Sequence, residues 1–155
     1  MNFRENIEHD AQSALRSRDE LTLSVLRMLL SAMHNREIEK RRASGSNDAL
    51  GDEEVIHVIR AELKKRTDAI EAYEKGARPD AVKREQGEAE ILRSYLPPEL
   101  SHDELFAIVE EGITTLGVHS EKDFGKLMGW VMQRVKGRAS GDRVLAIAKR
   151  SLGAP

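Results

Sequence analysis

Apolar residues recur every three or four positions along most of this 155-residue chain, a spacing that is typical of amphipathic α-helices. The most regular repeat lies near the C-terminus, with apolar residues at positions 124, 127, 128, 131, 132 and 135. Together with helix-ending residues, the repeat predicts seven helices, at about 3–17, 19–42, 52–75, 79–95, 101–116, 120–136 and 140–152.

Residues that favour helix ends support these boundaries. Asp19 and Ser140 are suited to cap the second and seventh helices, and Pro79 suits the first position of the fourth. Ser101 and Glu104 have the spacing of a capping box, which predicts a sharp start for the fifth helix.

The second helix is apolar around most of its circumference between Leu21 and Met33, so we expect it at the centre of an N-terminal bundle. Arg27 falls inside this stretch, where a buried guanidinium needs a carboxylate partner. An ion pair within the protein is favoured over a cation that faces a ligand.

The stretch SYLPPEL (94–100) predicts a domain boundary, because two consecutive prolines cannot continue a helix. The predicted fold is all-α, with an N-terminal four-helix bundle (1–96) joined by a Pro-Pro hinge to a C-terminal three-helix domain (99–155).

Composition limits the choice of compartment and partner. The chain has no cysteine, begins with the polar stretch MNFRENIEHD and contains no apolar run long enough for a membrane span. We therefore expect a cytoplasmic protein that has no membrane contact. The net charge is −2, but residues 124–155 hold seven basic residues and one acidic residue, a net charge of +6.

Motifs for nucleotide, metal or acyl-transfer chemistry do not occur, so we predict no catalytic residue, no metal site and no cofactor. Glu54 and His57 lie one helical turn apart, but a second such pair is missing and both are interpreted as surface residues.

Gly125 and Gly129 predict close helix packing. The basic clusters KRR (40–42) and KKR (64–66) alternate with acidic residues, which favours a solvated face over an RNA contact.

The segment KGRASGDRV (136–144) is the main candidate for chemistry. It places basic residues and two glycines at a turn that feeds a helix N-terminus, where backbone amides and the helix dipole favour an anion. The alternative is that the glycines serve only the turn and that Asp142 already occupies the positive helix end. The candidate RNA-binding residues are Lys126, Arg134, Lys136, Gly137, Arg138, Ser140, Gly141, Arg143, Lys149 and Arg150.

Only six aromatic residues occur, mostly at core-like positions, so the sequence predicts no stacking platform for unpaired bases. An RNA ligand would be recognised through phosphate and shape, with affinity that falls steeply as salt is added.

Several stretches resemble the GatB/YqeY family, and most closely its small stand-alone YqeY-like members. They are SVLRMLLSA (24–32), EIEKR (37–41), DEEVIHVIRAELKKR (52–66), EAEILRSYLPPELS (88–101) and KDFGKLMGWVMQRVKGRASGDRV (122–144). The resemblance implies an all-helical, two-domain protein related to the tail of the B subunit of the tRNA-dependent amidotransferase, where the tail contacts tRNA. Lys126, Lys136, Gly137, Arg138 and Gly141 match the family segment, while Ser140 stands where members often have Asp.

The family label is carbon–nitrogen ligase with glutamine as amido-N-donor, but nothing in the chain matches the catalytic domain of that enzyme. The leading hypothesis is a non-catalytic accessory module that binds tRNA or another structured RNA. The alternatives are an adaptor that docks on translation proteins, such as aminoacyl-tRNA amidotransferases or synthetases, and a component with ligase activity in complex with other subunits.

Overall fold

The computed structural model describes residues 2–153; Met1, Ala154 and Pro155, which the predicted domain ranges include, lie outside the described residues. Within 2–153 there are seven α-helices and no strand, which confirms the all-α prediction. The helices are α1 (Phe3–Ser17), α2 (Glu20–Ser44), α3 (Asp52–Lys75), α4 (Pro79–Arg93), α5 (His102–Leu116), α6 (Phe124–Val135) and α7 (Gly141–Ser151). A short 3₁₀ helix, Glu121–Asp123, precedes α6.

The predicted capping residues are confirmed. Asp19 accepts a hydrogen bond from the Thr22 amide at the start of α2, and Ser101 forms a capping box with Glu104 at the start of α5. Ser140 accepts from the Arg143 amide at the start of α7. These side chains satisfy amides that a helix start leaves without a carbonyl partner, which is why local sequence is sufficient to place the ends.

The described chain divides into two compact units, with the boundary between Leu96 and Pro97. The N-terminal unit contains α1 to α4, and the C-terminal unit contains α5 to α7. The role of Pro97 and Pro98 as a hinge stays a prediction.

The N-terminal core forms where α2 and α3 pack on their neighbours. Helix α2 contacts α1, α3 and α4, in agreement with its expected central place. Its apolar surface is not fully enclosed, however, because Leu21 and Met28 are 38% and 47% exposed. Arg27 is also exposed, and within residues 2–153 it takes part in no ion pair, so the favoured interpretation of an ion pair within the protein is wrong.

A buried charge cluster joins α3 to α4. Arg66 donates from Nη1 to Glu62 at 2.9 Å, and its Nε lies 3.3 Å from a carboxylate oxygen of Glu88. All three residues are buried, so the prediction that KKR (64–66) lies on a solvated face is wrong for Arg66. The charges are tolerated in the interior because each has an opposite partner in contact.

Tyr95 connects the turn after α4 to α1, since its hydroxyl donates to the Asp10 carboxylate at 2.6 Å. Burial of the phenol raises the pKa of Tyr95 well above its ordinary value, and the hydrogen bond to Asp10 and the charge of Asp10 act in the same direction.

The C-terminal core is built from one face of each of its three helices, and its fully buried side chains include Leu105, Val109, Leu127, Val131 and Val144. Gly112 on α5 lets α6 approach closely, because a Cβ at this position would lie 2.8 Å from Cε3 of Trp130. Around Gly125 and Gly129, by contrast, a Cβ would meet no atom within 4 Å. The prediction that these two glycines serve close helix packing is therefore wrong.

Replacement of Gly112 by alanine should lower the free energy of unfolding by about 1–2 kcal/mol, because overpacking against Trp130 outweighs the better helix propensity of alanine. The matched control is Gly129→Ala, which should raise stability by up to about 1 kcal/mol. Urea denaturation followed by circular dichroism measures both. Equal effects of the two substitutions would contradict the packing assigned to Gly112.

Replacement of Tyr95 by phenylalanine should lower stability most below about pH 10, and the difference from wild type should shrink as the pH rises further. A folded-state pKa above the unfolded value near 10 means that the contribution of Tyr95 is complete below about pH 10 and is lost as pH rises beyond it. Wild type should therefore lose stability above about pH 10 more steeply than Tyr95→Phe, by up to about 1.4 kcal/mol per pH unit. Tyr73→Phe is the control, and thermal unfolding from pH 8 to 11 that gives parallel curves for all three proteins would refute the prediction.

Candidate nucleic-acid interface

The turn between α6 and α7 has a defined backbone. Helix α6 ends at Val135, and the chain then passes through two residues with left-handed geometry, Lys136 (φ 47°) and Gly137 (φ 76°). The Arg138 amide donates to the Val135 carbonyl at 2.9 Å. The predicted helix stop at Gly137 thus falls within this turn, where glycine adopts a positive φ without the strain that a side chain brings.

Arg143 ties this turn to the start of the C-terminal unit. Its Nη2 donates to the Leu100 carbonyl at 2.8 Å, and its Nη1 lies 3.2 Å from a carboxylate oxygen of Glu99. The Leu100 amide in turn donates to the Arg138 carbonyl at 2.8 Å. Arg143, one of the candidate RNA-binding residues, therefore has partners within the protein.

Most of the other candidate cations lie on the surface. Lys126, Lys136, Lys149 and Arg150 are exposed, and within residues 2–153 none of the four takes part in an ion pair. The exposed charges are spread over α6, the turn and the last turn of α7. An external anion can reach these four cations without displacing a carboxylate.

Arg138 is half-buried, and its charge acts on α5. A hydrogen bond from the Ser101 amide, the Ser101 side chain and the positive charge of Arg138 hold the pKa of Glu104 below its ordinary value. Gly141 and Asp142 are exposed at the first turn of α7. Asp142 places a carboxylate at the positive end of the helix dipole, as the alternative interpretation of the turn expected.

Arg134 has a different environment. Its guanidinium carbon lies 3.9 Å from the centroid of the Trp130 ring, and its Nη1 lies 4.0 Å from a carboxylate oxygen of Glu111. The side chain of Arg134 is still 50% exposed. Sequence reasoning selected Arg134 for its charge and missed Trp130, although the spacing of four residues on one helix signals such a contact.

The exposed side of α6 is formed by Gly125, Lys126, Gly129 and Gln133, which the helical repeat places on one side. Because no atom lies within 4 Å of a Cβ built on either glycine, this strip exposes bare helix backbone next to a lysine. Because their spacing in the sequence predicts internal packing, neither glycine is among the candidate RNA-binding residues.

The N-terminal unit contains a cavity of about 570 Å³ beside α2, α3 and α4. Each of the cations in its wall lies within 4.0 Å of a carboxylate, and these cations are Lys65, Arg66, Arg78 and Arg84. The cavity therefore offers weaker attraction for a polyanion than the exposed cations of the C-terminal unit.

Glu54 and His57 have separate environments. Glu54 accepts a hydrogen bond from Lys40 at 2.8 Å and another from the Gly51 amide, and these contacts lower the pKa of Glu54. His57 is exposed. Across residues 2–153 no three potential metal-ligating side chains come together.

None of the described helices combines the length and the apolar character that crossing a membrane requires.

Comparison with known proteins identifies relatives along most of the chain. A protein of Lachancea thermotolerans named altered inheritance of mitochondria protein 41, mitochondrial, is 32% identical over 148 residues, which cover 91% of this chain and 76% of that protein. Proteins of the same name from Pyrenophora tritici-repentis and Kluyveromyces lactis are 24% and 30% identical. The matches cover 71% and 66% of those two proteins, so the relatives are longer than the matched region.

These relatives correct the expected location. All three are named as mitochondrial proteins, which contradicts the prediction of a cytoplasmic protein. The prediction failed because it relied on the lack of cysteine and of long apolar runs. Proteins inside mitochondria meet these conditions as well, so neither feature distinguishes the two compartments.

The family assignment agrees with the resemblance found in the sequence. The sequence model of the family described as Yqey-like protein matches residues 4–152, which span α1 to α7 and include the turn between α6 and α7. The chain therefore belongs to the YqeY-like family, whose members are related to the tail domain of the amidotransferase B subunit.

Proposed function

We propose that the C-terminal unit binds structured RNA, with tRNA as the first ligand to test, and that the chain acts as an accessory module without catalysis of its own. The observation that carries the proposal is a set of four exposed cations: Lys126 near the start of α6, Lys136 at the turn after α6, and Lys149 and Arg150 in the last turn of α7. Exposed lysine and arginine side chains supply the counterion-release term that dominates binding to a phosphate backbone.

The distribution of charge within the unit supports this proposal. Residues 102–123 hold six acidic residues and one basic residue, whereas residues 124–153 hold seven basic residues and one acidic residue. Charges of opposite sign are thus separated along the sequence of this unit. At physiological salt the Debye length is about 8 Å. An exposed acidic group on α5 that lies further than this from a cation therefore only weakly reduces the attraction of that cation for an anion.

The bare strip on α6 adds a geometric argument. Glycine inside a helix costs about 1 kcal/mol relative to alanine, and packing within the chain explains neither Gly125 nor Gly129. A surface without side chains lets a phosphate backbone approach the helix closely beside Lys126. Arg143 is left out of the proposed contact because it binds Glu99 and Leu100.

The arrangement of a four-helix bundle and a three-helix domain joined at Pro97–Pro98 is part of the proposal. In the related amidotransferase B subunit the tail contacts tRNA, while the transamidation chemistry belongs to another domain. The carbon–nitrogen ligase label is therefore not extended to this chain alone.

Charge reversal of Lys126 and Lys136 to glutamate should weaken binding to bulk tRNA by at least tenfold at about 100 mM salt. Each lost phosphate contact should also reduce the slope of log affinity against log salt concentration by about one, so the slope should fall by about two. Fluorescence anisotropy at four salt concentrations measures both quantities, and circular dichroism checks that the variant keeps its helices.

The matched control is Arg41→Glu with Arg42→Glu, which changes the net charge by the same amount on exposed residues of α2. This control should bind tRNA within about twofold of wild type. Stronger loss in the control than in the Lys126 and Lys136 variant would move the contact to the N-terminal unit. Wild-type protein that does not bind tRNA, but retains protein partners after nuclease treatment, would favour the adaptor alternative.

Substitution of Gly129 by glutamine tests the bare strip. The new side chain has space in the protein and should raise the free energy of unfolding by up to about 1 kcal/mol, yet it should weaken tRNA binding about three- to tenfold by holding the backbone away. Unchanged tRNA affinity, measured beside unfolding in urea, would show that the strip lies outside the contact.

A further inference from the structure

Trp130 is the single tryptophan of the chain, and two contacts hold its indole in place. On the side of α5, the ring edge packs against the position of Gly112, where even a Cβ would come within 2.8 Å of Cε3. The Arg134 guanidinium then lies 3.9 Å from the ring centroid. The Trp130 indole is therefore held in place, and the charged guanidinium of Arg134 lies over its ring.

The guanidinium of Arg134 is held at the indole but stays accessible. It lies over the indole ring, and Glu111 approaches Nη1 at 4.0 Å. The side chain is nevertheless 50% exposed to solvent. A planar, weakly hydrated cation that stays accessible is suited to stack against another flat group, and unpaired nucleobases stack on arginine planes in this way.

The position of this pair on α6 connects it to the exposed cations. Lys126, Trp130 and Arg134 follow one another at intervals of four residues, which places them on one side of the helix with about 6 Å of rise between neighbours. An RNA strand held by Lys126 therefore passes close to Arg134. The prediction that the chain offers no stacking platform overlooked this pair, because Trp130 occupies a position that resembles the core in the sequence.

We propose that an unpaired nucleobase stacks on the Arg134 guanidinium, with Trp130 as the rigid support beneath it. The inference rests on the proposed RNA binding and narrows the ligand to a structured RNA that has an unpaired nucleotide next to a helical stem. Arg134 then favours RNA that has unpaired bases. The exposed lysines bind phosphate groups whatever the sequence or pairing of the RNA.

The test compares three versions of one RNA hairpin: one with a blunt end, one with a four-nucleotide 3′ overhang, and one with the same overhang made abasic. Wild type should bind the hairpin whose overhang has bases about tenfold more tightly than the hairpin whose overhang is abasic. Both overhangs carry the same phosphates, so the difference in affinity measures base stacking. Binding of the overhang with bases, but not of the abasic one, should also change the fluorescence of Trp130.

Arg134→Lys keeps the charge and removes the plane, so it should lose most of the tenfold preference while it binds the blunt hairpin as wild type does. Arg42→Lys is the matched control on an exposed arginine of α2, outside the proposed contact, and should keep the preference.

The outcomes separate the two proposals. If wild type binds all three hairpins equally, or if Arg134→Lys keeps the preference, stacking on Arg134 is refuted and the proposed RNA binding stands. Loss of the preference in Arg42→Lys as well would identify a general effect of replacing arginine by lysine and would also overturn the inference. If wild type binds none of the hairpins and no tRNA, both proposals fail.

Discussion

The candidate interface depends on one interaction, the attachment of Arg143 to the Leu100 carbonyl and the Glu99 carboxylate. Together with the hydrogen bond from the Leu100 amide to the Arg138 carbonyl, it fixes the turn between α6 and α7 against the segment that opens the unit. A charged donor that binds a backbone carbonyl and a carboxylate at once is worth more than a neutral hydrogen bond. Arg143 thus binds partners within the protein. The turn that it fixes in a defined geometry carries the exposed Lys136.

The helices of this chain could be predicted because the signals that set them are local. Asp19, Ser101 and Ser140 each satisfy amides of their own helix start, and no distant residue is needed for that role. The period of the apolar residues then indicates which face of each helix turns inward. Such signals are sufficient for an all-α fold and for the ends of most of its helices.

Contacts between helices could not be predicted in the same way. A glycine in a helix has the same local signature whether a neighbouring helix packs on it or solvent covers it, and the sequence assigned close packing to Gly125 and Gly129 where the structure assigns it to Gly112. Arg66 shows the same limit: its neighbours in sequence suggest a solvated face, but Glu88 from α4 makes burial possible. For the candidate site, sequence identified the basic residues but not their partners, so it grouped Arg143 with Lys136.

The energetic costs within α6 are consistent with a surface shaped by something outside the chain. Gly129, inside the helix, costs about 1 kcal/mol relative to alanine, and its surroundings provide no packing that offsets this cost. The same helix carries the exposed Lys126 and the half-exposed Arg134. Each feature alone is compatible with an ordinary surface helix. The ligand that we propose accounts for their combination along α6, because bare backbone permits close approach, lysine attracts phosphate, and a guanidinium that lies over an indole can stack with a base.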